Sequence, residues 1–253
     1  MKSLRFGLKP LNKEISTSIK LKSIFGLIPK KIIPSSFLLS RNINNDSNFL
    51  MTAYEYFEID IPAWRALNTS RILEAGGESF ETIRTGVGNQ QGMGVTTGLY
   101  SLENNLYNQM IRGKMSFDVT GIVPEEAVMW EASLLLTTQN AINQCPITAS
   151  EIALSIMQFQ NPIQDDYSDY ENMGYVRAAD EDVPFNNVGG ELNISLNQNF
   201  LDTFVKNGNN DLGLTFSADA NMLLNLSDIQ NEPLTVIFYW FTSPILRLSY
   251  AVF

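Results

Sequence analysis

The sequence predicts an all-β protein: an antiparallel two-sheet β-sandwich, jelly-roll-like, with one short helix and an extended N-terminal arm. Three observations carry that expectation. Six segments between residues 109 and 241 place apolar side chains at alternate positions. Gly, Pro and Asn punctuate the connections between them. The charge divides into a basic beginning and an acidic remainder. Period-two alternation bounded by turn residues is the signature of half-buried strands. At 253 residues the chain is long enough for a substantial core.

Residues 1–50 read as the arm and its linker. They hold nine Lys/Arg against Glu14 and Asp46, about +7, while residues 51–253 hold eight basic and 25 acidic residues, −17. The sum is the net −10 of the chain. Lys9, Lys13, Lys20, Lys22 and the Lys30–Lys31 pair interrupt the apolar residues, so the stretch is unlike a secretory leader. An organelle transit peptide fits only in its Ser content and scarcity of acids. Pro10, Pro29 and Pro34 argue against one long helix. "SIKLKSIF" permits a short strand, and 42–48 reads as a polar linker. Leu4, Phe6, Leu8, Ile19, Leu21 and Phe25 are the arm's candidate assembly contacts, offered to a neighbouring subunit. Nucleic acid is a candidate partner only through this arm, because an acidic body repels phosphates. No run of 18 apolar residues occurs, so no membrane span is expected.

The body, 51–253, supplies the strands. "QMIRGKMSFDVTGI" places Ile111, Met115, Phe117 and Val119 on one face, with Gly113 as a gap. "AVMWEASLLLTT" places Val128, Trp130, Ala132, Leu134 and Leu136 together. Ile152, Leu154 and Ile156 follow, then Leu192, Ile194 and Leu196, then Leu212, Leu214 and Phe216. "PLTVIFYWF" places Leu234, Val236, Phe238 and Trp240 on one side. Between the fourth and fifth runs, Phe200, Leu201, Phe204 and Val205 share one face of a short helix, with Gly208 at the C-terminal cap position.

These segments, in this order, resemble the DNRLRE and carbohydrate-binding-module-like β-sandwich family. Phe117–Asp118 stands for that family's "FD", 132–136 for its "ATLRL", and 194–210 for its strand and short helix. Residues 212–214 stand for its "GL" and 233–239 for its closing strand; the resemblance spans about 86–240. The chain departs from the pattern in carrying a Phe pair rather than Trp in the helix, and its first 85 residues have no counterpart. The resemblance implies a non-catalytic module outside a cell or on a particle, binding glycans or packing into assemblies.

The chemistry on offer is sparse. There is no histidine and one cysteine, Cys145, which excludes His-dependent triads, dyads and metal cages, and any disulfide within the chain. Cys145 reads as a small buried apolar residue. "GVGNQQGMG" lacks the Lys-Ser/Thr of a P-loop and has Gln91 where a dinucleotide fingerprint needs Gly, so it reads as a tightly turning loop. "QDDYSDYE" reads as a solvated acidic loop, with calcium a candidate ligand of Asp165, Asp166 and Asp169. No spacing singles out a carboxylate pair for glycoside hydrolysis. Trp130 and Trp240 fall in phase with core positions, which leaves Trp64, with Tyr167 and Tyr170, as candidate glycan contacts. The expected function is that of a non-enzymatic structural protein of a virus or phage particle (capsid, decoration or fibre component) that needs no cofactor. It would assemble as a homo-oligomer through its arm, in the virion. The alternative is a glycan-binding module, extracellular or on a cell surface.

Overall fold

Alternating segments can bury one face only by pairing edge to edge, and here they pair without a break. The computed structural model describes residues 30–32, 55–74, 80–102, 107–144, 152–159, 161–184, 190–201, 210–220 and 234–252. Its strands are β1 (Lys30–Ile32), β2 (Glu55–Pro62), β3 (Arg65–Glu74), β4 (Gln90–Met93), β5 (Val95–Leu102) and β6 (Tyr107–Ser116). They continue with β7 (Val128–Gln144), β8 (Leu154–Phe159), β9 (Met173–Arg177), β10 (Glu191–Ser195), β11 (Asp211–Phe216) and β12 (Leu234–Val252). Short helices are α1 (Phe80–Arg84), α2 (Asp169–Asn172), α3 (Gln198–Phe200) and α4 (Ser217–Ala220). The protein is all-β. Every named ladder is antiparallel, and together they join the twelve strands of the described residues into one curled sheet.

β12 is the spine of that sheet. Along one edge it pairs with β7 from Val236 to Ala251. Along the other, Leu234–Phe241 pairs with β5 and Ile245–Val252 pairs with β2. The change of partner coincides with an irregularity between Thr242 and Ile245, where Ser243 takes φ +50°. A bulge of this kind bends a strand and reverses which side chains face inward. Ile237, Tyr239 and Phe241 point into the core before it, and Leu246, Leu248 and Tyr250 after it.

The main core gathers side chains from β2, β5, β6, β7, β8, β10, β11 and β12. Leu192, Ile194 and Leu196 are buried while Glu191, Asn193 and Ser195 are exposed, as the alternation of that strand predicts. Ile152, Leu154, Ile156, Leu212, Leu214, Phe216, Met115, Phe117 and Val119 are also inward. Gly113 is a close approach: a Cβ there would sit 2.9 Å from Val95 Cγ1 and 3.1 Å from the Thr96 carbonyl. In α3, Asn197 caps the N-terminus by accepting from the Phe200 N–H at 2.9 Å, and Phe200 and Leu201 are buried. Phe204, Val205 and Gly208 lie outside the described residues, as does Cys145.

Two tryptophans correct the sequence reading. Trp130 and Trp240, expected in the core, are 52% and 43% exposed. Opposite β12, Ser249 pairs with Glu131 but Tyr250 pairs with Met129, so Trp130 is the extra residue of a bulge and turns outward. Trp240 belongs to the outer side of its strand because the inward set is Ile237, Tyr239 and Phe241, not Val236 and Phe238. All of these side chains are bulky and apolar, so alternation could not choose between the two sets.

Leu134 is fully buried between Ile194 and Leu246 in the register of β10, β7 and β12. Leu134→Ala should cost about 2–5 kcal/mol by equilibrium denaturation. A loss under about 1 kcal/mol would show that the cavity collapses or that the side chain is not packed as described.

Candidate functional site

β6 lies inside the sheet, with β3 along one edge and β5 then β11 along the other. Met110 and Met115, from opposite faces of the strand, join the main core. Arg112, Lys114 and Ser116 follow Met110 on its face, each at most 3% exposed. A second small cluster of Met157, Phe159, Ile163, Met173 and Ala220 covers this region of the sheet. Burying guanidinium and ammonium groups costs several kcal/mol each unless they are paired and hydrogen-bonded.

Asp219, from α4, answers Arg112. The guanidinium donates from Nε to Oδ2 at 2.9 Å and from Nη2 to Oδ1 at 2.8 Å, a bidentate pair. Arg112 also donates to the Tyr170 carbonyl at 2.7 Å and stacks over the Tyr170 ring at 4.4 Å. Arg84 Nε reaches Asp219 Oδ1 at 3.2 Å, and Thr215 donates its hydroxyl to Oδ2. Burial alone pushes the Asp219 carboxyl up. The charge and hydrogen bonds of Arg112, the Thr215 hydroxyl and the charge of Arg84 outweigh it and hold the group below the usual carboxylate range.

Asp169, at the start of α2, answers Lys114. It accepts from the Lys114 ammonium and from the backbone N–H groups of Gln164 and Asp165, both at 2.8 Å. Asp165 lies 4.0 Å from the same ammonium and is half exposed. Asp166 turns outward and accepts from the Ser168 hydroxyl and N–H, which lower its pKa. Thus the three acids proposed to hold calcium do different work, and Asp169 is turned to an internal lysine. Among the described residues no group of three or more acids, His or Cys is placed to hold a metal ion. The Gly-rich stretch docks on this loop: Gly88 N–H donates to the Tyr167 carbonyl at 3.0 Å and Gln91 to Asp165 at 3.1 Å.

The candidate glycan residues separate. Tyr170 is fully buried, its hydroxyl donated to the Ile83 carbonyl at 2.6 Å, so it cannot present a ring to a surface ligand. Tyr167 is exposed. Trp64 is 60% exposed and borders a groove of ≈ 280 Å³.

That groove is built at the ends of three strands. Arg65 of β3 is in register with Ser116 of β6, which is in register with Asp211 of β11. Trp64 N–H donates to the Ser116 carbonyl at 3.1 Å, and Phe117 N–H to the Asn210 carbonyl at 3.3 Å. Arg65 packs its guanidinium 4.3 Å from the Trp64 ring centre and donates to the Ile163 carbonyl at 3.0 Å. Asp211 Oδ2 accepts from Ile163 N–H at 2.7 Å, and Asp118 Oδ1 from Thr120 N–H at 3.0 Å. Ser116 Oγ and Asn210 Oδ1 are buried and have no hydrogen-bond partner among the described residues. Sequence reasoning found Trp64 and missed Ser116, Asn210 and Asp211. Their only signal is position: each stands where an alternating run begins or ends.

The arm's candidate contacts, Leu4, Phe6, Leu8, Ile19, Leu21 and Phe25, lie outside the described residues. So does the strand expected over "SIKLKSIF". The described part of the first 50 residues is β1, paired with the edge of β2.

Because the Asp219 pKa is lower folded than unfolded, its ionised form contributes stability above about pH 4 that is lost as pH falls through the folded value. Asp219→Asn should destabilise by about 3–5 kcal/mol at pH 7, since it leaves Arg112 and Arg84 buried without their shared carboxylate. The gap between variant and wild type should narrow as pH falls below about 4 in urea titrations, whereas a gap constant down to pH 2 would contradict the ionised assignment. No family model and no curated protein matches this sequence.

Proposed function

We propose that the protein is a non-catalytic structural component of a virus or phage particle, and that its basic N-terminal segment mediates assembly. The observation that carries this reading is β1. It is held in register on the outer edge of β2, with Lys30 opposite Glu58 and Ile32 opposite Tyr56. A short segment added to an exposed sheet edge gains main-chain hydrogen bonds from any copy of that edge, its own or a neighbour's. The charge division supports the same reading, since an arm of about +7 and a body of −17 attract each other within and between copies. The buried ionisable groups support a non-enzymatic role. Arg84, Arg112, Lys114, Asp169 and Asp219 serve one another, which leaves them unsuited to proton transfer at a substrate.

The arm docks on protein rather than on packaged nucleic acid in this reading. Its basic residues alternate with apolar ones instead of massing together, and only Arg5 and Arg41 are arginines. No helix among the described residues is long and apolar enough to cross a membrane.

The native mass of the full chain, compared with that of a chain starting at Met51, tests the proposal. The full chain should form an assembly that the shorter one does not. Lys31→Pro combined with Ile32→Pro should weaken that assembly, because successive N–H groups point to opposite edges and one of the two must face β2. A full-length chain that stays monomeric at every concentration would overturn the reading. So would tight, salt-steep binding of a 1–50 peptide to nucleic acid with no affinity for the Met51-start chain.

A further inference from the structure

We propose that Lys114 and Asp169 join covalently, as an amide between the lysine Nζ and the aspartate Cγ. The inference is independent of the assembly reading. It begins with an amine and a carboxyl group held in contact where water does not reach: their side chains are 1% and 0% exposed. In water such a contact is a stable ion pair, because solvent stabilises both charges. A dry site removes that solvent. Passing one proton across the contact then gives a neutral amine, which is a nucleophile, and a neutral carboxylic acid, which is an electrophile.

The surroundings keep the pair dry. Lys114 stands opposite Gly213 of β11. A Cβ at that glycine would lie 2.8 Å from Met173 Sδ and 3.1 Å from Phe159 Cε2, so both apolar side chains pack down onto the sheet beside the lysine. Met157, Ile163 and Ala220 belong to the same cluster. The bond ties β6 to the start of α2 across 55 residues of chain. It restricts the unfolded chain as a disulfide does, and this chain, with a single cysteine, can form no internal disulfide.

The groups around the carboxyl match the course of the reaction. As Nζ bonds to Cγ, the carbonyl electrons move to Oδ1, to which the Gln164 N–H donates at 2.8 Å. Oδ2 is the leaving oxygen, held by the N–H groups of Asp165 at 2.8 Å and Asp166 at 3.3 Å. Asp165 Oδ1 lies 4.0 Å from Nζ, a gap that a small side-chain rotation closes, and Gln91 donates to the same oxygen at 3.1 Å. The Asp165 backbone takes φ +66°, a left-handed conformation uncommon outside glycine, so the surrounding loop holds it in place. Asp165 takes the proton that Nζ loses on bonding and delivers it to Oδ2, which already carries the proton passed from the lysine. The Cγ–Oδ2 bond breaks and the electrons on Oδ1 restore the carbonyl. One water leaves past the half-exposed Asp165, and no oxidant or further reactant is consumed.

Intact-mass spectrometry of the denatured full chain tests the proposal. The chain should weigh one water less than its sequence, and trypsin should fail to cut after Lys114. Fragment ions of a chymotryptic digest should place the linkage between Lys114 and Asp169. Lys114→Arg and Asp169→Ala should each have the full mass of their sequence. Asp169→Asn should form the same amide by releasing ammonia instead of water, and so match the mass of the wild-type product. Asp165→Asn, a change at a half-exposed position, should fold and form the bond about a hundredfold more slowly, as followed by mass after rapid purification. A wild-type chain of full mass would overturn the proposal by showing an ion pair only. So would a water loss that persists in Lys114→Arg or that maps to other residues. Bond formation at the wild-type rate in Asp165→Asn would overturn the part assigned to Asp165.

Discussion

The structure turns on a strand that buries two charged side chains inside the sheet. β6 carries Arg112, Lys114 and Ser116 in a row on one side, following the fully buried Met110. Two of these carry charge that water cannot reach. The remaining structure on that side is arranged to satisfy them: α4 delivers Asp219, α2 delivers Asp169, and the carbonyls of Tyr170 and Arg84 complete the guanidinium of Arg112. A buried ion pair replaced by apolar groups of similar shape is often no less stable, whereas one deprived of a single partner is strongly destabilised. The network therefore specifies where the two loops must sit more than it adds net stability. Asp169 shows this most clearly, since it also gathers the N–H groups of Gln164 and Asp165 and so sets the path of its own loop.

The same row explains why the groove lies where it does. Going along β6, Arg112 and Lys114 have their counter-charges, and Ser116 comes next at the strand's end. Here the covering segment is held by Ile163, whose N–H and carbonyl are taken by Asp211 and Arg65. Those two residues flank Ser116 in register. Loop placement by ion pairs deeper in the protein thus fixes the wall of the groove. A change at Lys114 or Asp169 would be felt at the groove through this loop, although neither residue lines it.

Much of the β architecture was legible, because Leu192, Ile194 and Leu196, or Leu212, Leu214 and Phe216, alternate with residues that differ plainly in polarity or size. Phase was legible only where such contrast exists. In "PLTVIFYWF" both sets of alternate residues are mostly bulky and apolar, so alternation does not say which faces inward; in "AVMWEAS" a bulge turns Trp130 to the outside. The ion network was not legible for a different reason. Lys and Arg at alternate strand positions read as a solvated face, and the carboxylates that bury them lie 55 and 107 residues further on. Trp64 could be singled out by its place after Pro62, but the groove beside it is a product of register between β3, β6 and β11, which one sequence does not express.

A long strand with two partners on one edge leaves a consequence at the sheet's margin. β2 completes the second half of β12, and on its far edge Tyr56–Glu58 pairs with β1. An unpaired edge invites addition by any compatible segment, and proteins protect such edges by charge, brevity or a cover. Here the cover is three residues from the basic segment. The same hydrogen bonds form whether that segment comes from its own chain or from a neighbour, so contact energy does not choose between them. The choice falls to effective concentration and to the length and stiffness of the connecting residues 33–54, which contain Pro34 and a run of Asn and Ser. A stiff, short connection would favour exchange between copies, and a slack one would favour closure on the same chain. Whether the edge is a protected margin or an assembly joint is therefore decided by the linker rather than by the β-sheet itself.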